Sequence, residues 1–175
     1  KDRCFACKKE LHHQLSGIIS KAGNYQVVDG VNHDDLNEYR PGLKAAQQAG
    51  VRSPLAEIGI TKISVREISK ALGLPWWNKP AQPCLASRLP YGEEVNPKRL
   101  HQIEKAESWL RNNGFSEVRV RAQNNAARIE LPSNKIEELI SNLKKESIVK
   151  YFLELGFTSV SLDLEGFVSG KLNRK

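Results

Sequence analysis

Apolar residues recur at helical spacing from the start of the chain. Leu11, Leu15, Ile18 and Ile19 predict a helix that the pair Cys4 and Cys7 opens and Gly23 closes. Tyr25 to Val28 is a short apolar run ending in Asp29-Gly30, the profile of a buried parallel strand delivering its carboxyl end to a site. Leu43 to Gly50 predicts a helix, and Ser53 to Glu57 a brief extended segment. Thr61 caps a further helix that carries Ile63, Val65, Ile68, Ala71 and Leu72 on one continuous face, stopped by Gly73 and Pro75. After Gly92 the pattern changes. Asn96 and Pro97 start a helix that runs to Asn113. Glu117 to Gln123 alternates as a strand, turns at Asn124-Asn125 and returns as Ala127 to Leu131. Pro132 then opens a helix with Ile136, Leu139, Ile140 and Leu143.

One motif occurs twice. Leu110-Arg-Asn-Asn-Gly-Phe-Ser-Glu-Val-Arg-Val is echoed by Phe152-Leu-Glu-Leu-Gly-Phe-Thr-Ser-Val-Ser-Leu, each a helix end, a glycine cap and a strand. The expected architecture is α/β over residues 1–90, followed by a small α+β domain over residues 91–175 whose helices cover one sheet face.

Composition bounds the function. Twenty-seven basic against 20 acidic residues give a formal charge of +7, and the lysines and arginines are dispersed rather than gathered. That balance suits a phosphorylated substrate better than a nucleic acid, and the second domain lacks the aromatic-studded basic face that stacks RNA bases. No apolar run reaches the eighteen or so residues needed to span a bilayer, and Lys-Asp-Arg-Cys is no signal-peptide start, so a cytoplasmic protein is expected. The chain has no methionine, which points to a piece of a longer protein.

Three stretches carry candidate chemistry. Pro80 to Gly92 is centred on Cys84, with Ser87 and Arg88 just behind it, and its prolines hold the backbone extended ahead of the thiol. A thiol, a hydroxyl and a guanidinium at such short range suit an anion and nucleophile site; a rigid crossover with a structural cysteine is the alternative. The C-x-x-C pair reads as half of a metal site or as a redox pair, and Cys4, Cys7, Cys84 and one of His12 or His13 would make a four-ligand zinc site. The second stretch, Asp29 to Gly42, is rich in acid and amide groups. Asp29 and Asn32 there suit a nucleotide or its magnesium, since Asn32 and Arg40 have no evident capping job, whereas Asp34 and Asp35 would also serve a helix start. In the third, Arg119 and Arg121 share one face of their strand, and Arg128 and Glu130 repeat the arrangement on the returning strand. Two arginines so placed bind phosphate or carboxylate, or else pair across the strands with Glu130.

Taken in order, Arg3-Cys-Phe-Ala-Cys-Lys, Val28-Asp-Gly-Val-Asn-His-Asp-Asp, Tyr39-Arg-Pro-Gly-Leu, Arg52-Ser-Pro-Leu, Lys79-Pro-Ala-Gln-Pro-Cys-Leu-Ala-Ser-Arg-Leu-Pro-Tyr-Gly and Arg119-Val-Arg resemble the LarE family. These are ATP-dependent sulfur transferases that make the nickel-pincer cofactor of lactate racemase. The resemblance covers essentially all 175 residues. It implies the C-terminal part of a PP-loop ATP pyrophosphatase domain, with its parallel sheet, over residues 1–90 and a small α+β substrate or oligomerisation domain over 91–175. It also implies ATP with Mg2+, a homo-oligomer, and adenylylation of a carboxylate of pyridinium-3,5-biscarboxylic acid mononucleotide before sulfur replaces the activated oxygen.

By the same resemblance, Ser87, Arg88, Arg119 and Arg121 bind the substrate's phosphate and carboxylate, Glu107 and Glu130 are acidic positions near that site, and Asp29 and Asn32 stand on the nucleotide side. Cys4, Cys7 and Cys84 match the branch that holds a 4Fe-4S cluster, with Cys84 catalytic. The branch that sacrifices a cysteine carries it one position earlier, where this chain has Pro83. Three thiolates leave one iron of a cubane open, whereas a structural zinc wants a fourth protein ligand. The family's phosphate-cradling Ser-Gly-Gly-x-Asp-Ser loop is not in this sequence. A tRNA-thiolating PP-loop enzyme and a zinc-stabilised binding module are the competing readings.

Overall fold

The structure is a computed structural model describing residues 2–23, 25–80, 82–168 and 171; Ala81, in the predicted Cys84 loop, lies outside them. The chain divides into two compact units, Lys1–Lys79 and Pro80–Lys175.

The first unit is mainly helical. Helix α1 (Arg3–Ala22) begins at the C-x-x-C pair and ends at Gly23, whose φ of 107° is the left-handed conformation a Cβ would resist. Its neighbour α2 (Pro41–Gln48) takes Pro41 at its first turn. The two helices approach closely at Gly42, where a Cβ would meet Lys8 Cγ at 3.1 Å. The predicted strand at Tyr25 to Val28 is reduced to one parallel bridge between Val28 and Arg52, and Val28 is exposed. A strand is stabilised by its neighbours, and the described residues offer it only this one partner. Ser53 to Glu57 is not extended: Pro54–Glu57 forms the single-turn helix α3, because the Glu57 carboxylate turns back to accept from the Ser53 amide at 3.2 Å. Helix α4 (Lys62–Ala71) starts as expected, with Thr61 Oγ1 accepting from the Ser64 amide. None of its residues is buried, and Ile63, Ile68 and Leu72 face outward.

The second unit holds a continuous core. Helix α5 (Pro97–Asn112), capped by Asn96, leads into β1 (Arg119–Gln123), which turns at Asn124 (φ 50°) into antiparallel β2 (Ala126–Glu130). Pro132 precedes a 3-10 turn (Ser133–Lys135) rather than the helix itself, and α6 follows as Ile136–Asn142. Helix α7 (Lys145–Glu154) then delivers β3 (Ser159–Leu162), which pairs parallel to β2 and gives the order β1-β2-β3. The repeated motif folds the same way twice. Gly114 and Gly156 both have positive φ, and the next amides, of Phe115 and Phe157, donate to Leu110 O and Phe152 O, each at 3.1 Å. Both phenylalanines are thereby turned into the core.

Alternation divides the sheet. Val120, Ala122, Ala127 and Ile129 point into a core with Ile103, Ala106 and Leu110 of α5 and Ile148 and Phe152 of α7. Trp109 stacks on Tyr151 at 4.9 Å, joining the two helices at the rim. The other face carries Arg119, Arg121, Arg128 and Glu130.

The Cys84 loop belongs to this unit, although the change of pattern lay near Gly92. Leu85–Arg88 forms a 3-10 turn, and Arg88 then enters the core edge to meet Glu107 of α5. Leu89 beside it is fully buried.

Removing one partner of that pair leaves the other as an uncompensated buried charge. Glu107→Ala is expected to destabilise the second unit by about 3–5 kcal/mol, read as a lower denaturation midpoint. Phe152→Ala should cost a similar amount, about 3–5 kcal/mol, through the cavity it leaves. Wild-type midpoints for either variant would contradict this account of the core.

Candidate functional site

Glu107 is the hub of the site, its side chain almost wholly buried. Its Oε1 accepts from Arg88 Nε at 2.7 Å and from the Val120 amide at 3.0 Å; its Oε2 accepts from Arg88 Nη2 at 3.1 Å and Arg111 Nη1 at 3.3 Å. This two-pronged pairing holds the Arg88 guanidinium in one plane. Arg88 Nη1 is left to donate to Pro83 O at 2.9 Å and to Ser87 Oγ at 3.2 Å. On the sheet, Arg121 Nε donates to Glu130 Oε2 at 3.0 Å, and its Nη1 donates to Ser87 O at 2.7 Å. Two buried arginines, each held by its own glutamate, therefore clasp the backbone of the loop on either side of Cys84 and its turn. Cys84 itself is exposed, and its carbonyl accepts from the Ser87 amide at 2.9 Å.

Arg119 is different. Its guanidinium makes no hydrogen bond or ion pair with any described residue, and its carbon lies 4.7 Å from the centre of the Phe167 ring. Burial, and then the like charges of Arg88 and Arg121, hold it below the ordinary arginine range, with Glu130 and Glu107 offsetting in part. It remains cationic at neutral pH, and an added anion would relieve the repulsion it feels. Arg128 Nη2 lies 3.6 Å from Glu130 Oε1, and its Nε 3.3 Å from Asp163 Oδ2. Arg128 Nε and Glu130 Oε1 are buried without a well-aligned hydrogen bond among the described residues. Among the described residues, the polar sheet face thus pairs most of its charge internally and leaves the Arg119 guanidinium without an ion pair.

Of the residues singled out from the sequence, Cys84, Ser87, Arg88, Glu107, Arg119, Arg121 and Glu130 come together in the second unit. Arg111, Arg128, the segment from Asp163 to Val168 and Lys171 join them, and only Arg128 had been placed on this face beforehand. The signal for Arg111 was its spacing of four residues from Glu107 on a helix. For the C-terminal segment, chain position offered none.

The first unit holds the remaining candidates. Asn32 does have a capping job: its Oδ1 accepts from the Asp35 amide and Asp35 Oδ2 accepts from the Asn32 amide, both at 3.2 Å, around the 3-10 turn His33–Asn37. Arg40 pairs with Asp35 at 2.8 Å and Glu38 at 2.9 Å, so it too is engaged locally. Asp29 Oδ1 accepts from Ser53 Oγ at 2.8 Å and the Val31 amide at 3.2 Å, and Asp34 accepts from the Lys62 amide at 2.8 Å. Sequence offered no view of these bonds because Ser53 and Lys62 are more than twenty positions away from their acceptors. Cys4 and Cys7 are exposed free thiols in the first two turns of α1, three residues apart and so on one side of it. His12, in contrast, is buried in α1 with neither ring nitrogen hydrogen-bonded to a described residue. Among the described residues of either unit, no three His, Cys, Asp or Glu side chains converge as a metal site. No helix among them is long and apolar enough to cross a membrane.

No family model matches the chain. Three curated proteins do match it, and the chain spans less than two thirds of the length of each. An uncharacterised protein of Synechocystis sp. is 52% identical over 173 residues, which is 99% of this chain and 65% of that protein. An uncharacterised protein of Methanocaldococcus jannaschii is 37% identical over 164 residues, 94% of this chain and 63% of that one. The third match carries a functional name, and it is 41% identical over 172 residues, 62% of its own length. Over 98% of its length, the chain is thus similar to the pyridinium-3,5-bisthiocarboxylic acid mononucleotide synthase of Lactiplantibacillus plantarum.

Proposed function

We propose that the protein carrying this chain is a sulfur transferase of the LarE family, converting carboxylates of pyridinium-3,5-biscarboxylic acid mononucleotide to thiocarboxylates. The observation that carries the reading is the joining of an exposed thiol, Cys84, to a clasp of buried arginines that leaves Arg119 without an anionic partner. The name of the L. plantarum relative supplies the product for that geometry, and the substrate is taken as its biscarboxylic counterpart. A mononucleotide presents one phosphomonoester and, here, a carboxylate awaiting activation. Arg119, together with the half-buried Ser87 hydroxyl, binds the phosphate. Arg88 and Arg121 hold the loop through Pro83 O and Ser87 O, so that Cys84 stands at a set distance from the bound phosphate.

Activation is assigned to ATP with Mg2+: the carboxylate attacks the α-phosphorus, pyrophosphate leaves, and the acyl adenylate then exchanges AMP for sulfur. That step belongs to the whole protein, with Asp29 and Asn32 as candidates for its nucleotide side and a homo-oligomer as its expected state. Cys4, Cys7 and Cys84, all exposed and outside any disulfide, are a donor set suited to a 4Fe-4S cluster. Bound there, the cluster would supply an iron without a protein ligand as a place for the sulfur to be carried. Cys4 and Cys7 already share one side of a helix, the spacing such ligation uses.

Three measurements test this. Protein purified without oxygen is expected to hold iron and acid-labile sulfide near about four each per chain, with the broad brown absorption of a cubane. Cys84→Ser should lose that absorption and thiolated product while adenylylation, read as pyrophosphate release, persists. Stoichiometric zinc instead would support the binding-module reading, and normal thiolated product from Cys84→Ser would refute the role of that thiol. Arg119→Ala is expected to weaken mononucleotide binding at least about tenfold, the loss of a charge-assisted contact, as measured by calorimetry. Unchanged affinity would remove the phosphate role of β1.

A further inference from the structure

The other two arginines of the polar sheet face lie against carboxylates, Arg121 by hydrogen bonds and Arg128 as an ion pair. Arg121 binds Glu130 and Ser87 O, and Arg128 lies between Glu130 and Asp163. Arg119 alone is met by a ring, that of Phe167, 4.7 Å from its guanidinium carbon. The difference is chemical. A carboxylate placed on Arg119 would neutralise it and occupy its donors, whereas an aromatic face attracts the cation through its π-cloud and leaves the N–H edge unspent.

The ring is held there by a strap that follows β3. The Asp163 amide donates to Ile129 O at 2.8 Å and the Phe167 amide to Leu131 O at 3.0 Å, so the strap runs beside the end of β2. Gly166, at φ 71°, passes so close that a Cβ would stand 2.3 Å from Leu131 O, which no other residue could tolerate without moving the backbone. Lys171 Nζ closes the strap on itself, 2.6 Å from Asp163 Oδ2 and 3.2 Å from Glu165 Oε2. Burial works to raise the Asp163 carboxyl, yet the bonds from Lys171 and the Glu165 amide, with the charges of Lys171 and Arg128, hold it below the ordinary aspartate range. The clasp is therefore ionised on both sides at neutral pH. A backbone anchored at the Asp163 and Phe167 amides, with Gly166 pressed against Leu131 O between them, presents Phe167 to one place only.

We propose that Phe167 is a positioning residue of the anion site: its ring supports the face of the Arg119 guanidinium so that the N–H edge is free and oriented for the substrate's phosphomonoester. This rests on the reading of Arg119 as the phosphate ligand. It also gives the strap after β3 a task in binding, beyond closing the end of the sheet.

The test is calorimetric titration of the full chain with nicotinate mononucleotide and, in parallel, with the phosphate-free nicotinate riboside. Phe167→Leu, which keeps an apolar side chain but loses the π-face, is expected to weaken mononucleotide binding about five- to tenfold. Riboside affinity should not change, and Phe167→Tyr should restore mononucleotide affinity to within about twofold of the unaltered chain. Equal loss for both ligands, or wild-type affinity in Phe167→Leu while Arg119→Ala loses binding, overturns the positioning role and leaves the phosphate reading standing. Wild-type affinity in Arg119→Ala, or no mononucleotide binding by the unaltered chain, overturns the phosphate reading and this inference with it. Should Phe167→Leu fail to fold, phenylalanines of increasing fluorination at position 167 keep the shape and drain the π-cloud. Affinity is then expected to fall step by step, and a flat series overturns the proposal.

Discussion

A buried ion pair, Arg88 with Glu107, decides where the second unit can put its functional groups. Burying a carboxylate and a guanidinium is costly unless both are bonded on every side. Glu107 meets that requirement with contacts from Arg88, Arg111 and the Val120 amide. Those contacts join three elements: the turn that follows Cys84, helix α5 and strand β1. None of the three could shift without exposing or orphaning a charge, so the loop is as fixed as the core beneath it. The second pair, Arg121 with Glu130, repeats the device from the sheet and holds the same loop at Ser87 O. Under the proposed function the Cys84 thiol gains from this, because a rigid support removes much of the entropy cost of alignment.

The sheet separates stability from chemistry by its alternation. One face of β1 and β2 is apolar and packs against α5 and α7; the other carries the charges. The two faces are coupled at their edges by residues that belong to both tasks. Glu107 is a core residue by burial and a site residue by its partners, and Leu131 ends the core while its carbonyl anchors the strap that brings Phe167 to Arg119. Charge on the polar face is nearly balanced by internal pairing. Among the described residues, Arg119 is the guanidinium of that face that rests on a ring instead of a carboxylate.

The first unit is organised by local hydrogen bonds more than by burial. Its buried apolar residues are the alanines Ala45, Ala46 and Ala56, while Ile63, Leu72 and Trp76 lie exposed. Order in the Asp29 to Arg40 segment comes instead from the reciprocal Asn32 and Asp35 cap, from Asp29 to Ser53, and from Arg40 to Asp35. Functional groups so engaged still accept further bonds, because each carboxylate has lone pairs to spare.

Sequence by itself determined whatever depends on near neighbours in the chain. The helix opened by Cys4 and Cys7, the caps at Thr61 and Asn96, the hairpin at Asn124 and the doubled helix-glycine-strand motif follow from spacing and from backbone preference, and they fold as read. The shared face of Arg119 and Arg121 was equally legible, because alternation is a local property of a strand. Tertiary structure decided the rest. Tyr25 to Val28 was read as a strand on composition, but pairing needs a partner, and only the Val28 to Arg52 bridge provides one. The Cys84 loop joined the second unit because a glutamate nineteen positions after Arg88 accepts that arginine. Which of the arginines is spent on a carboxylate, and which rests on a ring supplied by the far end of the chain, depends on distances through space that no periodicity in the sequence records.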